Sequence, residues 1–302
     1  MKIGYVGLGK MGKNMVLRLL EHGHQIVAWN RSPEPVAEVV AAGAIEAKSI
    51  EELVSKLEKP RIVWLMLPAG ETTQEFVDKL SDTLEVGDLV VDGANSNYED
   101  TLRRNEQLKA RGLRFMDVGI SGGPGGARNG ACLMVGGSEA DVLIVRPILE
   151  SAALPGAWEH LGPTAAGHFS KMVHNGIEYG MMQAIGEGAA VLKASQFGLK
   201  LAQVFNLYNK RSVIESRLIG WTAEALTEDE SLKDTSSTVA ASGEGEWTVV
   251  AAKKLGVDVP IIEGSLKIRQ ESVNIDPNSH NGFRNKVVSA QRGKFGGHKV
   301  KI

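Results

Sequence analysis

Short apolar runs alternate with amphipathic stretches through the first half of the chain. Lys2–Gly7, Gln25–Trp29, Arg61–Leu67, Asp88–Val91 and Arg114–Val118 are brief, bulky and mostly uninterrupted by charge. That is the pattern of strands buried on both faces of a parallel sheet. Between them, stretches such as Met11–His22 and Asn97–Ala110 carry helical spacing. The alternation predicts a doubly wound α/β sheet, which Ala131–Val135 and Ala157–His160 would extend. Past Gly162–Pro163 the pattern changes. No proline interrupts Thr164 to about Ser195, which predicts one long helix with enough glycine for others to approach closely. Further helical segments follow at Leu201–Thr222, Glu246–Leu255, Pro260–Val273 and Ser279–Ala290. The chain therefore divides into an α/β domain over 1–163 and an all-α domain over 164–302. Gly293–Ile302 has too little apolar bulk for a core and is expected to be an arm, either unordered or docked elsewhere.

Composition narrows the function classes. The 34 Lys and Arg against 36 Asp and Glu leave a net charge of −2, without the basic surplus that a nucleic-acid binder needs to neutralise phosphates. A single cysteine, Cys132, excludes an internal disulfide framework and a cysteine zinc cluster. His22, His24 and His160 are scattered without ligand spacing, so no metal is expected. No apolar run approaches the roughly 20 residues of a membrane span, and the N-terminus lacks the features of a secretory signal. The expectation is a cytoplasmic protein with no membrane partner.

Gly7-Leu8-Gly9-Lys10-Met11-Gly12 matches G-x-G-x-x-G between the first strand and the first helix. Gly7 allows the tight turn, Gly9 lets the backbone approach a pyrophosphate, and Gly12 permits close helix–strand packing. The helix N-terminus then offers N–H donors and a positive dipole. This makes the first domain a Rossmann dinucleotide-binding domain, with Leu8, Met11, Leu67 and Asn95 also expected near the cofactor. At the end of the second strand, where an Asp or Glu usually takes the ribose hydroxyls, stand Asn30, Arg31 and Ser32. With no carboxylate to repel a 2′-phosphate, and Arg31 able to pair with one, the expected cofactor is NADP, with NAD possible.

Lys171, His174, Asn175 and Glu178 fall at i, i+3, i+4 and i+7 of the long predicted helix. The spacing puts four polar groups on one face, either a site lining or an ordinary solvated stripe. The stretch Lys171–Tyr179 (KMVHNGIEY) resembles the catalytic helix of the 6-phosphogluconate dehydrogenases, the decarboxylating enzymes of the pentose phosphate pathway. Gly93–Ser96 (GANS), Asp117–Gly123 (DVGISGG) and Arg292–His298 (RGKFGGH) resemble their substrate loops and C-terminal tail. Nearly the whole chain is covered, in a version whose helical domain is the short one.

The resemblance implies particular roles. Lys171 would be the general base that takes the proton of the C3 hydroxyl while hydride passes to the nicotinamide, which requires an uncharged amine. Glu178 would be the general acid that protonates the enediol left after loss of CO2. Asn95, Ser121, Gly122, Gly123, His174 and Asn175 would bind the sugar acid, and Tyr179, Arg269, Arg292 and His298 its phosphate. In this family the tail reaches a neighbouring subunit's site, so Arg292 and His298 imply a homo-oligomer, and the family's short forms favour a tetramer over a dimer. One departure stands out: Glu246 precedes Trp247-Thr248 where long-form members carry a lysine, leaving Arg269 and Arg292, or Lys254 or Lys267, to hold phosphate. The alternatives are a β-hydroxyacid dehydrogenase of the 3-hydroxyisobutyrate type, which needs no phosphate clamp, and a catalytically silent NADP-binding protein.

Overall fold

The computed structural model of the chain describes residues 1–241, 243–297 and 300. Its elements are β1 (Lys2–Val6), α1 (Lys10–Glu21), β2 (Gln25–Trp29), α2 (Pro33–Ala41), β3 (Ile45–Glu46), α3 (Ile50–Ser55), β4 (Ile62–Leu65), α4 (Glu71–Thr83), β5 (Leu89–Asp92), α5 (Tyr98–Lys109), β6 (Arg114–Ser121), α6 (Gly123–Asn129), β7 (Ala131–Gly136), α7 (Glu139–Ala152) and β8 (Ala153–Gly162). There follow α8 (Ala166–Ala194), α9 (Leu201–Tyr208), α10 (Arg217–Glu228), α11 (Glu244–Leu255), α12 (Pro260–Glu271), a 3-10 turn (Ser272–Asn274) and α13 (His280–Gly296). They form two compact units, Met1–Met172 and Val173–Ile302.

The first unit is built on a sheet of order β3-β2-β1-β4-β5-β6-β7-β8. Strands β1 to β6 pair in parallel, β7 runs antiparallel to β6, and β8 is parallel to β7. The strand order reverses between β1 and β4, the switch point outside which open α/β sheets bind ligands. Successive strand residues feed opposite faces: Ile3, Tyr5, Ile26, Ala28, Trp64, Val91 and Met116 pack with α1 and α7. Val6, Val27, Val63, Leu65, Val90 and Phe115 pack with α3 and α4. Burial on both faces is why the strands read as unbroken apolar runs. The two-residue β3 has both side chains exposed and left no such trace.

The two compact units divide inside α8, at Met172–Val173. The reason is packing: the first turns of α8 lie on the sheet, where Gly119 and Gly136 leave room for its backbone. In the second unit, Ala189 of α8 shares a core with Leu201 and Phe205 of α9, Ile219 and Leu226 of α10, and Phe283 and Val287 of α13. Gly176 of α8 faces Thr248, and Gly245 of α11 faces the Tyr179 ring, too close in each case for a Cβ. The segment expected as one helix over Leu201–Thr222 is two helices. Arg211 between them turns with φ +60, and Ser216 caps α10 by accepting from the Ile219 N–H. Gly293–Gly296, expected within the arm, is helical instead: α13 runs through Gly296 because Phe295 packs on Trp221, with ring centroids 5.4 Å apart, and Lys294 pairs with Glu228. Among the described residues no helix is long and apolar enough to cross a membrane, and no three His, Cys, Asp or Glu side chains group as metal ligands.

Candidate active site

The glycine loop has the shape of a phosphate cradle. Gly7 turns with φ +99, and a Cβ there would strike the Met66 carbonyl. A Cβ on Gly12 would collide with the Gly7 carbonyl oxygen, so α1 can rise tightly from β1 only with glycine at both positions. Gly9 is different: nothing lies within 4 Å of its would-be Cβ. That open face, at the N-cap of a helix with no acidic residue in its first turn, suits close approach of an anionic pyrophosphate. Asn30 links the loop to the end of β2, accepting from the Leu8 N–H at 2.9 Å and donating to the Ser32 carbonyl at 3.0 Å. Arg31 and Ser32 are exposed beside it. Leu67 lies against Gly7 and Met11 is half-buried on the core. The Leu8 side chain is 2% exposed and belongs to that core, so it serves the loop through its backbone alone.

Lys171 is 6% exposed and seated against β6: a Cβ on Gly119 would stand 2.5 Å from the Lys171 Cβ and 2.8 Å from the Gly167 carbonyl. The loop after β6 is held from the side. Asn95, at φ +51, accepts from the Ile120 N–H at 2.8 Å and donates to its carbonyl at 3.0 Å. The Asn95 carboxamide thus fixes the strand end that leads into Ser121, Gly122 (φ +126) and Gly123 (φ +61). Beneath the Asn95 loop, the fully buried Arg104 donates to Asp92 at 3.0 Å, to Ser96 at 2.8 Å and to the Gly70 carbonyl at 2.9 Å.

Further along α8, in the second unit, His174 Nδ1 lies 3.8 Å from Glu178 Oε2 and 2.9 Å from Asn175 Oδ1. One turn on, the guanidinium of Arg269 stacks on the Tyr179 ring, 3.4 Å from its centroid. Arg269 is 3% exposed, and burial, with the nearby charge of Arg292, pushes its pKa down to about 10 against the pull of Tyr179 and Glu178. Burial also lowers that of Arg292, in the field of Tyr179, Glu178 and Glu244. Among the described residues neither guanidinium forms an ion pair. The structure thus brings Arg269, Arg292, Tyr179 and Glu178 together within one unit. Arg292 is inside α13 and faces its own chain's Glu178 and Tyr179; it is not on an arm, because the helix continues past it. His298 lies outside the described residues. Glu246, Lys254 and Lys267 are all exposed.

Sequence reasoning missed the supports: Asp92, Thr101, Arg104, Asp117, His168 and Glu244. A signal existed for two of them. Asp92, the last residue of β5, sits in register with Asp117 in the middle of β6, and a carboxylate inside an apolar strand must be paired to be buried.

Residues 2–162 match the NAD binding domain of 6-phosphogluconate dehydrogenase, and residues 167–281 its C-terminal domain. A Bacillus subtilis relative, 42% identical over 99% of this chain and 98% of its own, bears the 6-phosphogluconate dehydrogenase name provisionally. The NAD(+)-dependent, decarboxylating 6-phosphogluconate dehydrogenase of Haloferax volcanii is 39% identical over 99% of this chain and 98% of its own. The chain spans just over half of longer relatives: the decarboxylating enzyme of Rattus norvegicus is 39% identical over 86% of this chain and 57% of its own. Among solved structures, Plasmodium falciparum 6-phosphogluconate dehydrogenase, determined with NADP+ and with 6-phosphogluconate, superposes with a TM-score of 0.83 at 32% identity, covering 95% of this chain and 69% of that one. Mycobacterium tuberculosis 3-hydroxyisobutyrate dehydrogenase shares the fold, with a TM-score of 0.74 at 21% identity over 95% of this chain and 97% of its own. With a Rossmann NAD-binding domain, a helical second domain and both of the family's domain patterns in order, the chain belongs to the 6-phosphogluconate dehydrogenase family.

Proposed function

We propose that the chain oxidatively decarboxylates 6-phosphogluconate to ribulose 5-phosphate and CO2, taking NADP in preference to NAD. The observation that carries this reading is the pair of buried guanidiniums, Arg269 and Arg292, beside Tyr179 and Glu178 and without a carboxylate ion pair among the described residues. Two desolvated cations side by side are costly unless an anion joins them. A sugar-acid phosphate is such an anion, and bidentate arginine bonding suits it. A 3-hydroxyisobutyrate-type substrate has no phosphate to offer, and a silent binding protein needs neither Lys171 nor Glu178.

The dinucleotide would rest on Gly7, Gly9 and Gly12, with Arg31 on a 2′-phosphate, and when bound it accepts the hydride from C3. Lys171, entering as the free amine, takes the proton of the C3 hydroxyl as that hydride leaves. It then returns the proton to the C3 oxygen as the C1–C2 bond breaks and CO2 departs with the new carbonyl as electron sink. Glu178 delivers a proton to the carbon that lost CO2, while Lys171 takes back the hydroxyl proton and the ketone forms. The i, i+7 spacing in the sequence suits an acid and a base acting on different carbons of one substrate. Asn95, Ser121, Gly122, Gly123, His174 and Asn175 would position the carboxylate and hydroxyls. The same reading includes a homo-tetramer, supported by the resemblance to the family's short forms.

The test is to supply 6-phosphogluconate with NADP or NAD and follow both reduced cofactor and CO2. Equal release of the two, faster with NADP, is the expected result. Reduced cofactor without CO2 would move the chain to the β-hydroxyacid dehydrogenases, and no turnover on any hydroxy acid would make it a binding protein.

A further inference from the structure

Asp117 lies at the middle of β6 with no solvent exposure, and its carboxylate is given over to the approach to α8. Oδ1 accepts from the Ala165 N–H and Oδ2 from the His168 N–H, each at 2.6 Å. The carboxylate is set into glycine: a Cβ on Gly136 would stand 2.5 Å from Oδ1, and one on Gly167 would stand 2.9 Å from Oδ2. Burial pushes the Asp117 pKa up, against the opposing effects of the His168 ring and the two N–H donors. A fully buried carboxylate is an expensive way to begin a helix, since an exposed serine or threonine does the same for far less.

What it holds is a strained turn. Ala165 adopts φ +79, a left-handed backbone that a residue with a Cβ enters at a cost of about 1–3 kcal/mol. Its N–H is one of the two that Asp117 receives. The other belongs to His168, one turn before Lys171. The His168 ring is buried, with Nδ1 2.7 Å from Thr101 Oγ1 and 3.9 Å from Asp117 Oδ2. The Thr101 hydroxyl donates to the Asn97 carbonyl at 3.1 Å, so its oxygen accepts from His168 Nδ1–H. The His168 ring thereby ties α8 to α5 and the Asn95 loop. Carboxylate, strained alanine and histidine together fix the height and rotation of the helical turn that carries Lys171.

We infer that Asp117 is a positioning residue for the reaction: it holds Ala165 in the left-handed turn and clamps the first turn of α8, so that the Lys171 amine is presented at the height the C3 hydroxyl requires. This rests on the assignment of Lys171 as the base. Asn in place of Asp would turn an NH2 toward one of the two N–H donors, releasing that end of the clamp while keeping the volume. The experiment compares D117N and K171M with the wild type, using 6-phosphogluconate and NADP, with active sites counted by NADP binding. D117N is expected to lose about 100-fold in kcat, as ångström-scale misplacement of a reacting group does, with KM and NADP affinity within about threefold. Wild-type kcat per NADP-binding site, with only a lowered Tm, would make Asp117 a structural cap and overturn the inference. K171M distinguishes the two readings: if it turns over normally the base assignment fails, whereas an inactive K171M beside a normal D117N sinks the positioning role alone. Hydrogen exchange on the wild type gives a second measurement that does not depend on D117N folding. The Ala165 and His168 amides are expected to exchange as slowly as those of β5 and β6, and exchange at loop rates would refute the clamp.

Discussion

Replacing Arg269 by Met tests whether the buried guanidiniums serve binding at the expense of stability. The fall of its pKa from the ordinary arginine value to about 10 corresponds to about 3 kcal/mol against the charged side chain at neutral pH, at about 1.4 kcal/mol for each tenfold change in proton affinity. Methionine keeps much of the volume, contacts Tyr179 and Met182 as an apolar group, and removes repulsion with Arg292. Swapping a buried charge for an apolar residue is often neutral or stabilising by about 1–4 kcal/mol, so R269M should melt no lower than the wild type and up to a few degrees higher. The pH dependence has a definite sign. Above about pH 10, and up to the ordinary arginine value, the unfolded chain retains a proton on this group that the folded chain has lost. Wild-type stability therefore gains from Arg269 as pH rises through that window, and R269M lacks the gain. Binding should change in the opposite direction. A hydrogen bond between a cation and a phosphate contributes about 1.5–3 kcal/mol, so the KM for 6-phosphogluconate should rise by roughly 10- to 150-fold with NADP affinity unchanged. Calorimetry and initial rates at saturating NADP read both halves. A Tm lower by many degrees with an unaltered KM would show that Arg269 is a packing strut and that the phosphate lies elsewhere.

Gly9→Ala should fold normally, because nothing lies within 4 Å of the added carbon, yet weaken dinucleotide binding at least tenfold by fluorescence titration; Gly12→Ala should fail in both respects. Gly119→Ala should lower kcat at least tenfold with NADP affinity kept, since the new carbon would press on Lys171 and the Gly167 carbonyl; unchanged kcat would mean α8 can yield without moving its amine. Arg31→Ala should raise the Kd for NADP by at least tenfold and that for NAD by much less, and equal losses would remove the 2′-phosphate argument. Glu178→Gln should cut steady-state decarboxylating turnover sharply while 6-phosphogluconate still binds, and wild-type turnover would end its role as the acid.

The division between legible and illegible residues has a physical basis. The glycine loop could be read because the turn at Gly7 and the close approach of Gly12 to Gly7 act within six residues of chain. The Lys171–Glu178 stripe could be read because helix periodicity alone brings it to one face. The supports could not be read this way: Asp117 meets Ala165 and His168 across more than forty residues of sequence, and Arg104 reaches Gly70 and Asp92 on other segments. Long-range polar contacts leave only a faint trace in one sequence, a charge set in an apolar strand. Asp92 and Asp117 carried that trace, and both lie under candidate site loops. The end of α13 was misjudged for a related reason. Composition made Gly293–Gly296 look too poor in apolar groups for structure, but a single aromatic, Phe295, suffices where Trp221 is already in place to receive it. What keeps a segment helical there is the partner and not its own bulk, so truncation should be placed after Gly296. A cut at Arg292 would remove part of a packed helix along with any arm, and a loss of activity from it would say nothing about how the tail binds.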